Sequence, residues 1–225
     1  MNVGRVSLNL NWGKQMKYSH IIWDFNGTIL DDVQACIESV NVLLTKRGLP
    51  VLSSVEAYRA IQEFPVINYY VKLGFDFEKE SFDDVAVEWV EEYLRRFPHA
   101  HVYPEVLKTI AQCREKGMVQ ILLSATELSM LKKQVQALNI DDCFDEICGM
   151  DNIYAHGKIS LAERWRDAHP NAKALFVGDT DHDLAVARAI GADCVLFAGG
   201  HQARARLEKH GCPVIDSFSE LNRFL

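Results

Sequence analysis

Short, continuous apolar runs punctuate the chain at His20–Trp23, Val119–Ser124, Ala174–Val177, Val195–Phe197 and Val214–Ile215. Runs of this length, bounded by polar and turn-forming residues, predict buried strands. Helical patterns separate most of them, and the alternation predicts a Rossmann-like parallel sheet with helices on both faces. In such sheets ligands bind outside the carboxyl ends of the strands. The acids that follow the first and third runs, Asp24 and Asp179, are therefore expected to project into one crevice.

One interval breaks the rhythm. From about Asp32 to about Ala100 the helical signal continues without a convincing strand. Val33, Ile37, Val40 and Leu44 share a helical face that Gly48 and Pro50 bring to a stop. Ser53 with Glu56 reads as a capping box for a second helix running to about Phe64, before Pro65. A third helix is predicted over Ser81–Phe97, with Val85, Trp89 and Tyr93 on one face and Pro98 beyond its end. An interval this long exceeds what a simple crossover needs, and it reads as an all-helical cap inserted after the first strand. The expected division is a leader or edge segment over 1–17, an α/β core domain over 18–31 and 101–225, and the cap over 32–100.

Composition sharpens this picture. With 225 residues and 48% apolar content, the chain can bury one large core, alone or with a smaller inserted one. The formal charge of −7 comes from scattered acids and argues against nucleic-acid or anionic-membrane partners. A phosphate ligand would need local positive charge or a metal. The six cysteines form no C-x-x-C pair and read as reduced thiols. No apolar run reaches the roughly 18 residues of a membrane span, and no signal-peptide pattern opens the chain, so a cytoplasmic protein is the expectation. Nothing in the sequence speaks to oligomeric state.

Two segments carry most of the chemistry. In Ile21-Ile22-Trp23-Asp24-Phe25-Asn26-Gly27-Thr28 a strand ends in a carboxylate, a glycine permits a tight turn, and Thr28 offers a hydroxyl. At a strand end Asp24 can attack phosphorus or hold a metal, with the following amides and Thr28 binding anionic oxygens. Taken alone, the segment also reads as a strand and an Asn-Gly turn. In Ala174-Leu175-Phe176-Val177-Gly178-Asp179-Thr180-Asp181-His182-Asp183 another strand ends in clustered acids. Carboxylates converging from two strand ends suit Mg²⁺, a hard cation that prefers oxygen, and Asp179 with Asp183 is the natural pair. Asp181 or Thr180 is expected to cap a helix over Leu184–Ile190. Two weaker signals lie between. Ser124 either holds a phosphate oxygen or caps the helix beginning near Glu127, and Lys158, in His156-Gly157-Lys158, is either a phosphoryl ligand or a solvated lysine ahead of the helix Ile159–Ala168.

In this order the residues resemble the haloacid dehalogenase-like hydrolase superfamily, in its phosphoglycolate phosphatase-type branch with a helical cap. The family's Asp-x-Asp-Gly-Thr matches Asp24 to Thr28 except at Asn26. Its Ser/Thr, lysine and Gly-Asp-x-x-x-Asp motifs match Ser124, Lys158, and Gly178, Asp179 and Asp183. The resemblance implies a phosphatase acting on a small-molecule phosphate ester. In that scheme Asp24 forms an aspartyl phosphate, and Mg²⁺ is held by Asp24, the Asn26 main-chain carbonyl and Asp179, with Asp183 supporting. Ser124 and Lys158 then hold the phosphoryl group.

Asn26 replaces the family's general acid/base, whose help is typically worth about 10²–10⁴-fold. Three readings of it stand: a natural variant in which His101, Asp31 or a cap residue supplies the proton, a slowed or binding-only protein, or a substitution engineered to trap a complex. A phosphotransferase and a phosphonate hydrolase are the enzymatic rivals, the latter requiring a cap lysine such as Lys46, Lys72 or Lys79. Phe25 either marks the leaving-group side or seals the cap against the core. His99 and His101 read as surface histidines, and Gly199-Gly200-His201 opens a helix over Gln202–His210 with no chemical pattern.

Overall fold

The computed structural model describes residues 17–151 and 157–225. Residues 1–16, nearly all of the expected leader, and residues 152–156, including His156, lie outside the described part. Six parallel strands form the central sheet: β1 (His20–Trp23), β4 (Val119–Glu127), β5 (Glu146–Met150), β6 (Ala174–Gly178), β7 (Asp193–Phe197) and β8 (Val214–Ile215). Their spatial order is β5-β4-β1-β6-β7-β8. The chain leaves β1 to build one half of the sheet, then returns to build the other. The crevice that opens at such a reversal of strand order lies at the carboxyl end of β1.

Side chains alternate across the sheet and fill two apolar layers. Ile21, Trp23, Leu122, Leu175, Val177 and Val195 enter one cluster, while Ile22, Ile121, Leu123, Phe176 and Leu196 enter the other. The flanking helices are α5 (Pro104–Glu115), α6 (Leu128–Ala137), α7 (Lys158–Ala168), α8 (Asp181–Ala189) and the short α9 (Arg204–Leu207). Among the described residues no helix is long and apolar enough to cross a membrane.

Four helices follow β1: α1 (Val33–Lys46), α2 (Val55–Ile61), α3 (Val66–Lys72) and α4 (Phe82–Arg96). They bury a third cluster of their own, built on Val33, Ile37, Val40, Leu44, Tyr70 and Val85. A two-residue antiparallel ladder of β2 (Leu30–Asp31) and β3 (His101–Val102) ties the outgoing and returning chain together.

Several boundaries differ from the sequence reading. The cap of α2 is Ser54, which accepts from the Ala57 N–H, and not Ser53. The helix ends at Ile61, and a separate α3 follows Pro65. Strand β4 runs on through Ser124 to Glu127, whose carboxylate accepts from Ser129 N and Met130 N and caps α6. Ser124 is therefore not the cap. Strand β5 carried too weak a signal, with Glu146 at its start and Gly149 within it. A Cβ at Gly149 would lie 2.6 Å from the Leu128 Cα, so a glycine is required where β5 meets the start of α6.

Candidate active site

The Asp24 backbone N–H donates to the Val177 carbonyl at the end of β6, which sets the Asp24 carboxylate beside the acids that follow β6. Carboxylate oxygens of Asp24, Asp179 and Asp183 all lie within 4.8 Å of one another, and all three residues are buried. Lys158, at the start of α7 and only 3% exposed, contacts Asp24 Oδ1 and donates to Asp183 Oδ1 at 2.6 Å. It is a buried counter-ion, not a solvated lysine.

Asp183 is held by the helix it opens. Thr180 caps α8 in a capping box, and Asp183 Oδ2 accepts from the Thr180 hydroxyl at 2.7 Å and from the Thr180 N–H at 3.0 Å. These bonds leave Asp183 Oδ1 for Lys158. Asp179 accepts the Thr28 hydroxyl at 3.1 Å and the His201 N–H at 2.6 Å. Thr28 is fully buried and supports Asp179 instead of lining the cavity. The close fit here requires glycine: Gly27 sits at φ +74°, and a Cβ at Gly200 would lie 2.2 Å from Asp179 Oδ2.

Burial and the neighbouring carboxylates push the Asp24 carboxyl well above its ordinary range, against the pull of Lys158. Burial also raises Asp179, with the His201 charge opposing. For Asp183 burial is outweighed by Lys158 and the Thr180 bond, and its carboxyl is held low. Three buried carboxylates facing one ammonium leave excess negative charge, and their hard oxygens suit a divalent cation such as Mg²⁺.

Asn26 is fully engaged. Its amide donates to Asp32 Oδ2 at 2.7 Å and to the Tyr93 hydroxyl at 2.9 Å, and its oxygen accepts from Thr126 Oγ1 at 3.0 Å. A donor end on a carboxylate and an acceptor end on a hydroxyl match an amide, so the surroundings are built for asparagine. Asp32 also accepts from Gly27 N and the Tyr93 hydroxyl and pairs with His201 Nε2 at 3.3 Å. Against burial, His201 and these donors hold its carboxyl low. In turn, Asp32 overcomes the burial of His201 and raises its imidazole to about 9. The Tyr58 hydroxyl lies 2.9 Å from His201 Nδ1.

A cavity of about 230 Å³ joins these groups, lined by Asp24, Asn26, Ser124, Lys158, Asp179 and Asp183 on the core side and by Trp89 and Tyr93 of α4. Ser124 is buried, and its hydroxyl donates to Thr126 Oγ1 at 3.0 Å. The proton donors considered at the sequence level lie elsewhere: His101 and Asp31 are exposed partners in the β2–β3 ladder. The lysines weighed for phosphonate chemistry pair with acids outside the cavity, Lys46 with Glu88, Lys72 with Glu63 and Lys79 with Asp76. Phe25 is fully buried in the core and seals it. Asp32, Thr126 and His201 belong to the site although no motif flagged them. Only the Gly199-Gly200 pair before His201 hinted at a close approach.

The fold and this acidic crevice define a Rossmann-like α/β protein with its site at the carboxyl ends of the central strands. The chain belongs to the haloacid dehalogenase-like hydrolases, whose family model matches residues 21–197. It is 24% identical over 216 residues to a phosphoglycolate phosphatase from Pseudomonas savastanoi pv. phaseolicola, covering 89% of this chain and 77% of that protein. A phosphoglycolate phosphatase from Aliivibrio fischeri is 23% identical over 217 residues, with 88% of each chain covered. Among solved structures, a haloacid dehalogenase-like hydrolase from Streptococcus pneumoniae superposes with a TM-score of 0.79 at 16% identity, covering 92% of this chain and 98% of that one. CbbY from Rhodobacter sphaeroides, solved with phosphate, does so at 0.68 and 18% identity over 91% and 96% of the two chains. These structural likenesses concern the fold.

Proposed function

We propose that this protein is a Mg²⁺-dependent phosphatase that hydrolyses a small-molecule phosphate monoester through Asp24. The observation that carries the reading is the convergence of the Asp24, Asp179 and Asp183 carboxylates with the buried Lys158 ammonium at the ends of β1 and β6. Its relatives named as phosphatases support it.

In this reading an Asp24 oxygen attacks phosphorus, the bond to the ester oxygen breaks, and water later hydrolyses the aspartyl phosphate. Lys158 neutralises phosphoryl oxygens and offsets part of the burial that disfavours ionised Asp24. Asp183 orients Lys158, the Ser124 hydroxyl binds a phosphoryl oxygen, and Thr28 fixes Asp179. Asp24, Asp179 and the Asn26 main-chain carbonyl would hold Mg²⁺, with Asp183 in support, and the ion would supply positive charge to the phosphoryl oxygens. Asn26 positions Asp32 and Thr126 but has no proton to give to the leaving group. Residues 32–100 form a cap over a core of 18–31 and 101–225.

The test is phosphate release from a panel of esters with Mg²⁺. Release is expected to stop in Asp24→Asn and with EDTA. In Asn26→Asp a carboxyl would face Asp32, and a shared proton between like charges raises its pKa. That makes it a usable acid, and alkyl esters are expected to gain about 10²–10⁴-fold. Ester binding without release in both the wild type and Asn26→Asp would replace hydrolysis with a binding-only role.

A further inference from the structure

Beyond the phosphoryl site the cavity is walled by aromatic rings. Phe64, Tyr69, Tyr70, Trp89 and Tyr93 line it, with Trp89 and Tyr93 stacked at 5.0 Å. Two residues that line it carry side-chain groups with no partner among the described residues: the Tyr69 hydroxyl and both ends of the Gln134 amide. These residues are 5% and 3% exposed. Leaving such groups unsatisfied is costly, so a hydrogen-bonding ligand is the natural complement to both.

Charge restricts that ligand further. Among the described residues Lys158 is the only lysine or arginine lining the cavity, and Asp24 and Asp183 already engage it. Glu127 adds a further carboxylate to the lining, and Asp32, which also lines it, is matched by His201 at 3.3 Å. His201 also lines the cavity, but its imidazole is already paired with Asp32, so a leaving group with its own carboxylate would find every cationic partner in the described lining already engaged. A single ring with a phosphoryl group fits the space, since a 150 Å³ cavity accepts benzene and this one offers about 230 Å³.

Resting on the phosphatase reading above, we infer that the substrate is an aryl phosphate: the monoester of an uncharged single-ring phenol bearing a neutral hydrogen-bonding substituent. Asn26 fits the same class. A phenol has a pKa of about 10, whereas an aliphatic alcohol resembles water at about 15.7. When Asp24 attacks phosphorus, the P–O bond breaks and the electron pair leaves on the aryl oxygen as phenolate. Solvent protonates it on release, so no enzymic acid is required.

The experiment compares kcat/KM for phenyl, benzyl and ethyl phosphate, 4-carbamoylphenyl phosphate, 2-phosphoglycolate and acetyl phosphate. Phenyl phosphate is expected to exceed ethyl phosphate and phosphoglycolate by at least about 100-fold. Benzyl over ethyl phosphate isolates the ring from leaving-group acidity and is expected to favour benzyl by about 10-fold or more. In Gln134→Leu and Tyr69→Phe the ratio of 4-carbamoylphenyl to phenyl phosphate is expected to fall about 10-fold. The melting temperature is expected to hold or rise in both, because each loses an unsatisfied buried group. Phosphoglycolate turned over as well as phenyl phosphate, benzyl no better than ethyl phosphate, or an unchanged ratio in both variants would overturn the inference and leave the phosphatase reading intact. No release from any of these esters or from acetyl phosphate, in the wild type and in Asn26→Asp alike, would end that reading and the inference with it.

Discussion

His201 links three of the groups around the cavity. It lies between Asp32 and Asp179, with Tyr58 on its other side. Its folded pKa of about 9 exceeds the ordinary 6.5. Its contribution to stability is thus fully present below about pH 6.5 and lost as pH rises through about 9. At about 1.4 kcal/mol per pKa unit this amounts to roughly 3 kcal/mol. Urea titrations in EDTA are expected to show wild-type stability falling more steeply between pH 7 and 9.5 than that of His201→Gln. Asp24, also pushed up, acts in the same direction, so the variant isolates the imidazole's share; parallel slopes would remove the ion pair from the account. Asp24, Ser124 and Asp179 were legible in the sequence because each follows an apolar run into the crevice. Asp32, Thr126, His201 and Gln134 were not, since their roles come from partners distant in the chain.

At the scale of elements, α8 joins stability to site geometry. The Thr180 hydroxyl caps the helix and fixes Asp183, which fixes Lys158. Thr180→Ala is expected to cost about 1 kcal/mol for the cap and to lower Tm by about 2–4 °C for a chain of this size. A fall in phosphate release beyond what unfolding explains is the accompanying sign that Asp183 has moved. The strands β1 and β8 were legible to the residue, because an unbroken apolar run has one stable place in a parallel sheet. Strand β5 and helix α3 were obscured by tertiary demands: Gly149 answers to the approach of Leu128, and α3 is a seven-residue helix with too few turns for a periodic signal.

In the whole molecule, polar bonds join the inserted helices to the sheet. Arg59 donates to the Gly200 and Gly199 carbonyls at 2.7 and 2.5 Å, Tyr58 meets His201, and Tyr93 meets Asn26 and Asp32, while each side keeps its own apolar cluster. Arg59→Ala removes two charge-assisted bonds worth about 2 kcal/mol or more together. Hydrogen exchange is expected to quicken across α1–α4 while β1, β4 and β6 keep their protection. Equal loss of protection in both would mean that the two parts open as one.

The two-residue ladder of β2 and β3 gives this arrangement a longer reach. Because Leu30 pairs with Val102 and Asp31 with His101, the excursion begins and ends at neighbouring backbone positions, like a cassette clipped into a fixed socket. Insertions or deletions inside it leave the spacing of its two ends, and so the path of the chain back into the sheet, unchanged.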